Sequence, residues 1–175
     1  MSKQIDVAVI MGSDSDLPIM KDCLSFLDEM GIAYEVRVLS AHRCTAEVLE
    51  YANSLKQMRI KVVIAAAGSA AHLPGILAAV VPCPVIGVPI LTKSKALGGA
   101  DALYSIVQMP SGIPVATVAI DGAKNAAVLA SLIIGVSNDE IYKKVCDFKE
   151  SLKDAVIKKD SKLQEIGYEE YLRQM

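Results

Sequence analysis

The chain contains two histidines, His42 and His72, and each follows a run of β-favouring apolar residues. His42 stands in Ser40-Ala41-His42-Arg43, where an imidazole suited to proton exchange adjoins a guanidinium that can fork two hydrogen bonds onto a phosphate. His72 lies towards the end of Ala65-Ala66-Ala67-Gly68-Ser69-Ala70-Ala71-His72-Leu73-Pro74-Gly75, whose small residues let a ligand approach backbone N–H groups closely. A third segment, Gly12-Ser13-Asp14-Ser15-Asp16, combines a glycine for a tight turn, two hydroxyl donors and an acid placed to cap the helix that begins at Leu17 and Pro18. The chemistry these types suggest is proton transfer on a small phosphorylated molecule.

Each segment also has a plain structural reading. A Ser/Asp loop can simply cap a helix, and a lone histidine is usually structural. Neither G-x-x-x-x-G-K-[ST] nor G-x-G-x-x-G occurs, so no nucleoside-triphosphate or dinucleotide site follows from the first loop. Cys44 is weighed as a nucleophile because Arg43 adjoins it, but no acyl- or phosphoryl-transfer triad accompanies it, and it can equally start the next helix. The four cysteines, Cys23, Cys44, Cys83 and Cys146, are widely spaced with no C-x-x-C pair and are expected to be reduced thiols.

The elements that must position these segments are readable from periodicity. Strands are expected at 5–11, 34–39, 62–66, 85–90 and 115–120, and helices at 17–30, 45–57, 72–80, 100–108 and 123–134. The strands show little polar alternation, as expected for a parallel sheet covered on both faces. The expected architecture is a three-layer, flavodoxin-like α/β fold with its core at about 5–135. A charged amphipathic helix at 138–159 and a short helix at 160–175 should follow as a C-terminal extension. In such a sheet ligands gather beyond the carboxyl ends of the strands, where all three segments fall.

The totals agree with one catalytic domain over 1–175: 53% of residues are hydrophobic and 22% charged. A formal charge of −2 provides no basic excess for nucleic acid. The apolar stretch 76–91 is interrupted by Pro82, Pro84, Gly87 and Pro89, which argues for core and against a membrane span. The opening residues lack a secretory pattern, so a cytoplasmic location is expected.

Beyond single loops, the motifs MGSDSD at 11–16, SAHR at 40–43, AAHLPG at 70–75 and YSIVQMPSGIPVATVAI at 104–120 occur in an order that closely resembles the N5-carboxyaminoimidazole ribonucleotide mutases of purine biosynthesis. The resemblance covers roughly residues 5–135. It implies transfer of a carboxylate from the exocyclic nitrogen to ring carbon 4 of an aminoimidazole ribonucleotide, with no ATP, metal, biotin or other cofactor, through transiently released carbon dioxide. It further implies that His42 is the acid/base group, that Ser13 and Arg43 hold the phosphate with Ser15 nearby, and that Asp16 receives the ribose hydroxyls. His72 and the Gly68 backbone would meet the carboxylate, with Gly12, Ser40, Ala41, Ala67, Ser69 and Leu73 completing the substrate-binding set. A homo-octamer with sites at subunit junctions is implied as well.

Two features depart from the family pattern. Ala66 and Ser69 replace glycines in the third loop. The loop at 91–99 is longer than usual and the turn at 121–124 shorter. Lys93 and Lys95 either belong to a flap that closes over the substrate on Gly98 and Gly99 as hinges, or lie in an ordinary solvated loop. Two other functions stay open at this level. One is direct carboxylation of aminoimidazole ribonucleotide by carbon dioxide, a related branch whose third loop lacks AAHLPG. The other is a binding domain without turnover, since fold does not determine activity.

Overall fold

A computed structural model describes residues 4–92 and 97–175. Five parallel strands form one sheet in the order β2-β1-β3-β4-β5. They are β1 (Val7–Met11), β2 (Tyr34–Val38), β3 (Val62–Gly68), β4 (Val85–Ile90) and β5 (Ala116–Thr117). The helices are α1 (Leu17–Met30), α2 (Thr45–Met58), α3 (Leu73–Val80), α4 (Ala100–Val107), α5 (Ala123–Gly135) and α6 (Asp139–Arg173). This is the expected flavodoxin-like arrangement. Its chain reverses direction across the sheet at β1, which therefore lies between β2 and β3.

The pleat divides the apolar strands between two cores. Val7, Val9 and Met11 of β1, Val62 and Ile64 of β3, and Ile86 and Val88 of β4 pack with α1, α5 and the start of α6. The alternate residues Ala8, Ile10, Val63 and Ala65 pack with α2, α3 and α4. Successive side chains in a strand point to opposite faces, so an uninterrupted apolar run is what a doubly covered strand requires.

Local chemistry sets the helix ends. Pro18 lies in the first turn of α1, where its missing N–H is no loss. The helix stops at Gly31, whose φ of 73° is left-handed. Lys144 of α6 reaches across to donate to the Met30 carbonyl at 3.0 Å, joining the extension to the domain as well as capping α1.

Two expectations about elements need correction. The fifth strand is regular over only two residues, not 115–120. Pro89 accepts from Asp121 N at 2.8 Å, so its own nitrogen also faces β5, where proline has no hydrogen to donate. Beyond Thr117 the segment follows β4 only through isolated bonds such as Val118 N to Gly87 O at 3.1 Å. The C-terminal extension is two helical segments, as expected, but they do not meet near 160. The break lies at Gly167, with φ 75° and ψ 161°, because only glycine adopts that backbone readily.

At Gly87 the sheet packs closely against α4. A Cβ there would lie 2.4 Å from Ile106 Cγ2 and 2.9 Å from Val115 Cγ1. Gly87→Ala is expected to destabilise the fold by about 1–3 kcal/mol through overpacking, read as a lower urea midpoint at unchanged slope. An unchanged midpoint would show that α4 is not held this tightly.

Candidate active site at the carboxyl ends of the central strands

The first loop leaves β1 with Gly12, whose N–H donates to Ala66 O at 3.0 Å. Gly12 has no left-handed φ, and a Cβ there would make only ordinary contacts, so the expected tight turn is not its reason for being glycine. The turn is made next, by a single 3-10 segment at Asp14–Asp16. This segment is capped by Ser13: Ser13 Oγ accepts from Ser15 N at 3.3 Å, and the Asp16 carboxylate returns to accept from Ser13 N at 3.3 Å. Asp16 occupies the N-cap position of α1, as expected, but its side chain makes no bond to that helix. The Ser15 hydroxyl lies 2.9 Å from that of Ser13. This capping box satisfies backbone donors on both sides and leaves Asp16 only 6% exposed. Burial, the largest influence, pushes the Asp16 carboxyl above its ordinary value, while Ser13, Ser15 and Arg43 oppose the shift.

The second loop leaves β2. Arg43 Nη2 donates to Gly12 O at 3.0 Å and Arg43 Nε to Ser40 Oγ at 3.2 Å, which ties the second loop to the first and fixes the guanidinium. The third loop leaves β3 and ends at His72, the residue before α3. Gly68 is required there by close approach, since a Cβ would fall 2.4 Å from Thr92 Cγ2 and 3.0 Å from Ile90 O. Ser69 is held at a left-handed φ of 54°.

Across this junction His42 Nε2 lies 2.8 Å from His72 Nδ1, within hydrogen-bond distance. The rings meet nearly edge to face, at 83° with centroids 4.9 Å apart. Both rings border a cavity of about 330 Å³. Of the residues expected from sequence, Gly12, Ser13, Ser15, Asp16, Ser40, Ala41, His42, Arg43, Ala67, Gly68, His72 and Leu73 line it. Ser69 does not. Its backbone turns it outward as an exposed residue, while Ala70 and Thr92 line the cavity instead.

Thr92 escaped the sequence reading because it belongs to the loop after β4, whose chemistry was sought in Lys93 and Lys95; these two lie outside the described residues. One signal was available in Asp121. With a left-handed φ of 56°, it accepts from Leu91 N at 2.9 Å through its side chain and so anchors the residue before Thr92. The glycines expected as hinges, Gly98 and Gly99, both have positive φ.

The residues that line this cavity all fall within the span of a known family. The model of the AIR carboxylase family matches residues 6–155. The chain belongs to this family. It is 52% identical over 168 residues to a Thermotoga maritima protein named N5-carboxyaminoimidazole ribonucleotide mutase, covering 96% of this chain and 97% of that one. It is 49% identical over 166 residues to a Candida glabrata phosphoribosylaminoimidazole carboxylase, covering 95% of this chain but 29% of that longer protein. Among solved structures it resembles Treponema denticola PurE with a TM-score of 0.82 and 35% identity, covering 90% of this chain and 97% of that one. This AIR carboxylase family member has, among its described residues, no cluster of three or more His, Cys, Asp or Glu placed to hold a metal ion. No described helix is long and apolar enough to cross a membrane.

The environment of Asp16 gives a pH prediction. Its folded value is raised above the ordinary 3.8, so the ionised form burdens the folded state. The burden is absent below the ordinary value and grows as pH rises through the raised one. Asp16→Asn, which keeps an acceptor for Ser13 N, should therefore gain stability relative to wild type between pH ~3 and ~7. Urea midpoints at the two ends measure this, and a relative loss at the higher pH would contradict it.

Proposed function

We propose that this chain converts N5-carboxyaminoimidazole ribonucleotide to 4-carboxy-5-aminoimidazole ribonucleotide, an isomerisation of purine biosynthesis. The observation that carries this reading is the His42–His72 contact of 2.8 Å above a pocket that also presents Ser13, Asp16 and Arg43. Arg43 keeps N–H groups beyond the two already used, and with Ser13 it takes the phosphate, Ser15 assisting. Asp16 accepts from the ribose hydroxyls. This leaves the base at the histidines.

There His42 donates a proton to the exocyclic nitrogen as its bond to the carboxylate breaks, releasing carbon dioxide. Ring carbon 4 then attacks that carbon dioxide, forming the new carbon–carbon bond, and neutral His42 takes the proton that carbon 4 must lose. The proton count closes over one turnover, so the overall reaction needs no external acid or base. Proton donors and acceptors matched to the working pH suit both half-reactions. While carbon dioxide is free, His72 and the Gly68 backbone face it. His72 is the nearest alternative acceptor for a proton on His42, since it already lies within hydrogen-bond distance.

Direct carboxylation of aminoimidazole ribonucleotide is favoured by one finding, the near-equal identity to proteins named as carboxylases. Against it stands the AAHLPG segment, which places His72 in the pocket. We further propose that the chain acts as a single catalytic unit in the cytoplasm, assembled as a homo-octamer. The exposed Val136, Leu152 and Val156 supply apolar surface for self-association, and a solution mass eight times that of the chain would support the octamer.

The test offers the enzyme N5-carboxyaminoimidazole ribonucleotide, and separately aminoimidazole ribonucleotide with bicarbonate, both without ATP. The expected outcome is rapid turnover of the first and little of the second. Preference for the second would establish the carboxylase instead, and no product from either would leave a binding domain. His42→Asn should retain substrate binding within a few-fold while losing turnover by about 10²-fold or more; wild-type turnover in that folded variant would overturn its role.

A further inference from the structure

The loop that presents His42, from Ser40 to Cys44, is closed on itself by one cysteine. Cys44 precedes α2 with non-helical φ of −144° and ψ of 57°, and its side chain makes no capping bond to that helix. The thiol turns back instead. Cys44 Sγ accepts from Ser40 N at 3.0 Å and donates to Ser40 O at 3.3 Å, while Cys44 N donates to the same carbonyl at 3.0 Å. Ser40 Oγ in turn accepts from Arg43 Nε at 3.2 Å. Three bonds between residues 40 and 44, and a fourth from Arg43, thus close a five-residue ring with His42 at its centre.

Cys44 is half-buried and does not line the 330 Å³ substrate cavity. It borders an adjoining cavity of about 300 Å³ that shares Gly12, Ser13, Ser40 and Arg43 with the first. Its influence on the reaction must therefore pass through the ring. Sulfur is a weak donor and a weak acceptor, yet here both capacities meet one residue's backbone. The Ser40 N–H has no other hydrogen-bond partner among the described residues, so removing the sulfur leaves a partly buried donor unsatisfied.

We propose that Cys44 is a positioning residue for the isomerisation, its thiol clamping both backbone groups of Ser40 so that the Ser40–Cys44 ring holds His42 against His72 and Arg43 against Gly12. The inference rests on the mutase reading. A catalytic imidazole misplaced by about 1 Å loses on the order of 10²-fold in rate, so even partial loosening of the ring is measurable.

The test compares Cys44→Ala, Cys44→Ser and Cys44→Val with wild type, using N5-carboxyaminoimidazole ribonucleotide. Alanine and valine should each lower kcat by about tenfold in folded enzyme. Serine, which keeps a donor and an acceptor, should recover most of that loss. The pH profile of the alanine variant should also shift, because a loosened ring alters the His42–His72 contact. Equal rates for serine and valine, or a wild-type kcat with alanine, would overturn the proposal, since packing alone would then account for the cysteine. Should the alanine variant fail to fold, the serine and valine pair decides.

A readout on wild type needs no variant: the Ser40 amide should exchange slowly with D2O, and rapid exchange would show that the thiol does not hold it. An inactive wild type would count against the mutase reading itself, whereas an active wild type with indifferent variants counts only against Cys44.

Discussion

The site depends on bringing two imidazoles into contact from strands that are not neighbours. His42 follows β2 and His72 follows β3, and β1 lies between them. Two strand spacings amount to about 9–10 Å, which neither ring can span unaided. The gap is closed by loops arching over the end of β1 and fastened to one another. Arg43 holds the second loop to Gly12 O, and Gly12 N holds the first loop to Ala66 O of β3. The His42–His72 contact at 2.8 Å is the last link in this chain of bonds, and it exists only because the sheet reverses its direction of growth at β1.

That contact also constrains protonation. A nitrogen-to-nitrogen hydrogen bond needs one donor and one acceptor, so the two rings cannot both be imidazolium while it persists. Among the described residues neither imidazole has a carboxylate partner, so each ring's tautomer is set by the other rather than by an acid behind it. The buried acid of the site, Asp16, is instead committed to the Ser13 cap. The pocket therefore separates its groups in space, with carboxylate and guanidinium at the β1 and β2 loops and the imidazole pair towards β3.

Most of the fold was legible because the signals were local. The helix from Leu17 to Met30 has proline in its first turn and glycine after its last residue, and β4 is framed by Pro84 and Leu91. What escaped depended on tertiary pairing. The early end of β5 arises from Pro89 in a different strand, and the run through Asp160 shows no break until Gly167 adopts a backbone that sequence alone does not announce. In the site, the two histidines and the Gly/Ser/Asp loop were visible by type and spacing. Ser69 was placed in the pocket by the resemblance, but with a left-handed φ of 54° it lies outside the cavity lining. Thr92 was missed because its entry depends on a bond from Leu91 to Asp121, thirty residues distant.

The most direct measurement is the through-bond 15N–15N coupling between His42 Nε2 and His72 Nδ1 in the substrate-free enzyme, where two histidines make assignment simple. The account predicts a resolved coupling between the two rings that weakens when Arg43→Ala unfastens the second loop from Gly12. Absence of the coupling in wild type would contradict it.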